Sequence, residues 1–221
     1  MGFWSSLGSA ISSFFSGISN ALKNSPLLQT LLPILAVALP PPLDAIAVVA
    51  IQAIAATMGV EEKPDELGWQ MNEADKKPED FGSFKEYKEY LDREYPFDQG
   101  KFDALSEEQK TACRYIGMAG TMQELKESKG FELTPESLGI IVRAGSNLKW
   151  GDTQIGDFLK GMSVSLSNSG ATSLVDVAAL AKGTLAPDKQ DAVTGAITVG
   201  AKEADVKQDT AAIIASLQES V

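Results

Sequence analysis

The chain has 221 residues, a formal net charge of −11, one cysteine and no histidine. That size accommodates one ordinary domain plus an arm. The missing histidines remove the commonest general base and zinc ligand, and the lone Cys113 rules out an intramolecular disulfide. Residues 1–60 carry only Lys23 and Asp44, so the whole negative charge belongs to residues 61–221; an acidic body of this kind repels phosphate backbones and argues against direct nucleic-acid binding.

Taken in order, the chain opens with an amphipathic helix over Phe3 to Leu22. Phe3, Trp4, Leu7, Ile11, Phe14, Phe15, Ile18 and Leu22 gather on one face at helical spacing. The other face is small and uncharged, with Ser5, Ser9, Ser13 and Gly17 four residues apart, a spacing that lets a second helix approach closely or a ring of copies turn serine toward water. Interfacial helices usually carry lysine to meet anionic lipid, and this one has no charge before Lys23. The apolar residues are therefore the expected membrane or oligomer contact, and the serine and glycine face the expected close-packing or lumen surface. Nothing basic precedes the apolar run, so the helix is expected to stay in the mature protein rather than serve as a signal peptide. Met1-Gly2-Phe3-Trp4-Ser5-Ser6 also fits an N-myristoylation pattern, although bulky aromatics follow the glycine.

Two apolar runs follow, Leu27 to Leu39 and Leu43 to Met58, separated by Pro40-Pro41-Pro42. At about 1.5 Å per residue both fall short of a hydrocarbon core of about 30 Å. Together they predict a helical hairpin with a proline elbow, buried in the protein, in a bilayer or among copies of itself. The second run is apolar on nearly every face, which demands full burial in any solvent.

An abrupt change of composition at Glu61-Glu62-Lys63-Pro64 marks the end of the arm. The expected organisation is an arm over 1–60, an acidic and aromatic linker with one short helix over 61–104, and a helical body over 105–221. Residues 61–82 read as surface linker. Ser83-Phe84-Lys85-Glu86 resembles a capping box opening a short helix, with Phe84, Tyr87, Leu91 and Tyr95 on one core-facing side. Ser106-Glu107-Glu108-Gln109 opens a long helix that Gly130 stops. Thr134-Pro135 starts another, expected to end at Gly145; Asp152 is expected to cap Ile155 to Met162. Ser173 and Asp176 open Leu174 to Lys182 before Gly183, Pro187 starts a further helix, and Lys202 to Glu219 forms the last. No stretch alternates with period two, so the fold class is all-α.

The chemistry-bearing residues give no catalytic signature. Glu107, Glu108, Glu124 and Glu127 fit a solvated helix face better than a glycosidase carboxylate pair. Cys113 sits beside Arg114, which would lower its pKa slightly, yet without a histidine base a small buried thiol explains it better. Gly117 and Gly120 suit close helix packing rather than a phosphate loop. Asp176, Asp191 and Asp209 read as caps or first-turn carboxylates. A helix-turn-helix over Ile141 to Leu159 would have one base and one acid on its second helix, too little for phosphate, so a packed helix pair is expected. Neither a cofactor nor an enzymatic activity is expected.

Met1-Gly2-Phe3-Trp4, the serine-spaced helix, the Ala/Leu/Ile/Pro-rich runs and the acidic body without histidine together resemble minor virion and genome-delivery proteins of tailed phages and non-enveloped viruses. By its character over residues 1–60, the resemblance implies an arm carried in the particle that engages the host membrane to help pass the genome. It implies self-association, other virion proteins and membrane lipid as partners, and a virion location with transfer to the host membrane. A secreted pore-forming toxin or bacteriocin-like effector, or a structural module whose arm docks in a partner's groove, would use the same residues.

Overall fold

The computed structural model describes residues 43–61, 63–169 and 173–221. The helix expected at Phe3 to Leu22 and the run Leu27 to Leu39 lie outside the described residues. Among the described residues the fold is all-α, with ten α-helices, two 3-10 turns and one isolated parallel bridge between Glu132 and Ser173. The helices are α1 (Leu43–Thr57), α2 (Pro64–Glu73), α3 (Phe84–Glu94), α4 (Gln99–Asp103) and α5 (Glu107–Lys129). Then come α6 (Pro135–Asn147), α7 (Asp152–Asn168), α8 (Val175–Ala181), α9 (Gln190–Glu203) and α10 (Thr210–Glu219). They form two compact units, whose described residues are 63–123 in the first, and 43–61 with 124–169 and 173–221 in the second.

Helix starts follow local side-chain chemistry. Ser106 accepts from the Gln109 N–H at 3.3 Å while Gln109 accepts from the Ser106 N–H at 2.9 Å, and Thr134 and Ser137 exchange the same pair of bonds at 3.2 and 3.1 Å. Ser83 accepts from the Glu86 N–H, but the Glu86 carboxylate accepts from the Gly82 N–H, so that box is displaced by one residue. Asp98 and Asp209 cap α4 and α10 through the N–H groups of Lys101 and Ala212.

Five of the described helix ends share one device. A residue with positive φ (Gly59, Gly130, Lys149, Gly183 or Asp205) turns the chain, and the next N–H reaches back into the last turn. Val60 bonds the Ala55 carbonyl at 2.8 Å, Trp150 that of Gly145 at 2.9 Å, and Val206 that of Ala201 at 3.2 Å.

These ends correct several expected boundaries. Gly145 does not stop α6, which runs to Asn147; Lys149 is the left-handed residue instead. The absent side chain at Gly145 makes room, since a Cβ there would stand 2.7 Å from Ile155 Cγ1 and 3.1 Å from Trp150 Cε3. α7 continues past Met162 to Asn168, and Asp152 lies in its first turn with Gly151 as the cap. The final helix starts at Thr210 rather than Lys202, because Asp205 breaks the backbone and Asp209 caps a new start. The stretch 61–82 is not all surface linker: α2 lies within it and buries Leu67 and Trp69. Its two apolar anchors stand among polar neighbours such as Glu66, Gln70 and Asn72, which hides the helix in the sequence.

In the first unit α2 and α5 touch backbone to backbone. A Cβ on Gly68 would overlap the Cys113 carbonyl and stand 2.8 Å from the Gly117 nitrogen, and one on Gly117 would overlap the Pro64 carbonyl. Gly120 seats Leu67 and Phe84 in the same way. Around this contact lie two apolar clusters, one of Leu67, Ala74, Phe84, Tyr87, Tyr90 and Leu91, the other of Trp69, Phe102 and Cys113.

In the second unit α7 packs most extensively on α9 and on α1, while α6 packs on α10, α1 and α8. The α7–α9 contact is again made at glycine, with a Cβ on Gly161 falling 3.0 Å from Gly200 Cα and one on Gly200 falling 2.7 Å from the Phe158 carbonyl oxygen. Polar ties finish the unit: the buried Ser216 hydroxyl donates to the Ala144 carbonyl at 3.1 Å, and the Trp150 indole N–H donates to Gln208 at 3.0 Å.

Gly117→Ala should lower the stability of the full chain by about 2 kcal/mol or more, since the clash is with backbone and no side chain can turn away. Gly156→Ala, where a Cβ meets nothing within 4 Å, should raise it by about 0.5–1 kcal/mol. Urea unfolding of both variants measures the contrast.

Candidate functional site

The residues predicted to contact membrane or a neighbouring copy (Phe3, Trp4, Leu7, Ile11, Phe14, Phe15, Ile18 and Leu22), with Ser5, Ser9, Ser13 and Gly17 on the opposite face, lie outside the described residues, as does Gly2. The arm enters the described structure at α1. There Ala50, Ile51, Ile54 and Ala55 are 0% exposed, and the helix packs on α7 and α6. The outer side of α1 presents Val49, at 52% exposure, and Ala56. The second apolar run thus contributes a core helix to the second unit, and protein buries the inner side of that helix, while Val49 and Ala56 stay exposed, short of the full burial expected from its composition. No helix among the described residues is long and apolar enough to cross a membrane.

The densest polar and aromatic arrangement lies in the first unit, where α2 ends and α3 passes. The C-cap residue Ala74 hands the chain to Asp75, whose Oδ1 accepts from the hydroxyls of Tyr90 and Tyr95. The Asp75 N–H in turn donates to the Tyr95 oxygen at 3.3 Å. Lys76 Nζ lies 5.2 Å from the Tyr90 ring centre and 5.9 Å from that of Phe81, within cation–π range. Phe81 contacts Tyr87 and Tyr90 at centroid distances of 5.3 and 5.1 Å.

The electrostatics of this cluster follow from its bonds. The Tyr90 hydroxyl, and after it that of Tyr95, holds the Asp75 carboxyl below its ordinary value of 3.8. Burial, followed by the bond to Asp75, pushes the Tyr90 phenol up. The carboxylate of Asp75 is thus held by two phenol hydroxyls, and the cluster clasps the 74–77 segment to α3 and the Tyr95 that follows it. The face expected from Phe84, Tyr87, Leu91 and Tyr95 is present with Tyr95 half-buried at the C-cap. Tyr90, one helical step from Tyr87, was the omitted member, and its spacing alone would have found it.

The remaining candidates resolve into structure. Cys113 is 2% exposed, and burial first, then Asp65 and Glu73, push its thiol up to about 12 against a smaller opposing effect of Arg114. Arg114 instead pairs with Asp65 at 2.9 Å. Asp176, in the first turn of α8, takes both carboxylate oxygens to Lys189 Nζ at 2.9 and 3.1 Å. Asp191 lies in the first turn of α9, and Ile155 of α7 fills the space at Gly145 of α6, as in a packed helix pair. Glu107 and Glu127 are exposed and Glu124 half-buried. Among the described residues no three His, Cys, Asp or Glu side chains converge to hold a metal ion.

No known family, no curated protein and no solved structure matches the chain.

Two measurements check this site. A carboxyl with a depressed folded-state pKa stabilises the fold above its unfolded value and loses that contribution as pH falls through the folded one. Asp75→Asn should therefore unfold at lower urea than the parent at about pH 7, and the gap should narrow as pH falls below the ordinary carboxylate range. Cys113 should resist iodoacetamide at about pH 8 in the folded chain and react at an ordinary thiol rate once urea unfolds it.

Proposed function

We propose that this chain is a non-enzymatic assembly protein of the kind carried in a virion, whose N-terminal helix associates with other copies of itself and engages a membrane, assisting genome delivery. The observation that carries this is the two-sided pattern of residues 3–22: eight large apolar side chains on one face, and an uncharged serine and glycine face opposite.

The energetics favour a hidden and then transferred helix. Removing those eight side chains from water is worth on the order of 12–24 kcal/mol gross at about 1.5–3 each, offset in large part by ordering. Such a face does not remain in water, and copies can cover it by packing through Ser5, Ser9, Ser13 and Gly17, where small residues allow close approach. Contact with lipid then exchanges one apolar partner for another. Because the arm carries no lysine before Lys23, its affinity should depend little on anionic lipid and little on salt. The body supports this role as a carrier, since its capped helices close two cores among residues 43–221.

Replacing Phe14 and Phe15 together by serine should abolish flotation with phosphatidylcholine vesicles while leaving the far-ultraviolet helical signal of the body in place. Undiminished flotation of that variant overturns the proposal. Lipid-indifferent protein that still forms defined oligomers identifies the arm as a docking device for protein alone.

A further inference from the structure

We infer that α1 is the fixed anchor of the apolar arm, so that the stretch able to leave the protein ends before Leu43. The inference rests on the membrane reading above and narrows it, because the sequence treats residues 27–58 as one hairpin that would move together.

The packing of α1 separates it from the rest of that hairpin. Its inner face of Ala50, Ile51, Ile54 and Ala55 is fully buried against α7 and α6. α7 is also the main partner of α9, so withdrawing α1 uncovers one side of the helix on which the second unit is built. The end of α1 is part of the same core. Gly59 turns the chain with φ of 70°, the buried Val60 N–H bonds the Ala55 carbonyl at 2.8 Å, and the Thr57 hydroxyl donates to the Ala53 carbonyl at 2.7 Å. These bonds satisfy carbonyls of the last turn of α1 within the chain, and Val60 is buried behind them.

A bilayer offers α1 little in exchange. Its inner side is already out of water, so transfer to lipid gains nothing there while exposing α6 and α7. At 15 residues it is also about 22 Å long against a hydrocarbon core of about 30 Å. The apolar composition of α1, whose one charged residue is Asp44, matches a membrane segment on sequence alone and is equally what burial against two helices requires.

Hydrogen exchange on the full-length chain tests this, with and without phosphatidylcholine vesicles and with flotation scored in parallel. In floated protein, peptides covering residues 50–55 and 155–166 should keep the protection they have without lipid; lost protection at 50–55 overturns the anchor. Failure to float overturns the membrane reading instead, and the anchor is then decided without lipid by Ile54→Val, a change small enough to leave the fold intact. If α1 and α7 open as one unit, exchange should rise in both by a similar factor of about 2–10. Acceleration confined to α1 shows that it opens alone and overturns the inference.

Discussion

Backbone-to-backbone contact at glycine sets the helix spacing in each unit. Where α2 crosses α5, the carbonyls of Cys113 and Pro64 occupy the space that a Cβ on Gly68 or Gly117 would need. Where α7 crosses α9, Gly161 and Gly200 do the same. Helix axes at ordinary separation leave room for side chains at the crossing point. Removing them there brings the flanking residues into tighter register, so Leu67, Phe84, Phe158 and Met162 fill what the glycines vacate. An interior that close-packed has little tolerance for added volume.

Elsewhere in both units several helices are closed at one end or both by local chemistry. Side-chain caps at Ser106, Thr134 and Asp209 satisfy the first turns, and left-handed turns ending in a backward N–H bond satisfy the last. The apolar residue after such a turn often joins the core, as Val60, Phe131 and Trp150 do. Each loop is thereby pinned to the helix it leaves, and α1 gains its seat in the second unit through such a closure at Gly59 and Val60.

The surplus of acid stays on the outside. Pairs such as Lys63 with Glu66 and Arg93 with Glu94 are exposed, and pairs of that kind contribute little to stability. The two better-ordered carboxylates, Asp75 under its phenols and Asp176 under Lys189, fasten one segment to another rather than face an open cleft.

Sequence by itself determined whatever depends on neighbours a few residues away. The all-α class followed from helical spacing with no alternating strand pattern, and the starts at Ser106 and Thr134 followed from side chains that bond the backbone three positions on. Gly117 and Gly120 as close-packing residues, and Cys113 as a buried thiol, were also legible. Tertiary structure decided what depends on partners far along the chain. Gly145 looks like a helix stop until Ile155 and Trp150 are seen against it, and the break at Asp205 rests on a conformation that aspartate rarely adopts. Leu67 and Trp69 sit in a polar stretch and are buried because α5 and the aromatic residues come to meet them. Asp75 finds Tyr90 and Tyr95 at fifteen and twenty positions' distance. The apolar run of α1 specified burial but not its medium, because transfer out of water favours a protein core and a bilayer alike; the faces of α6 and α7 made the choice.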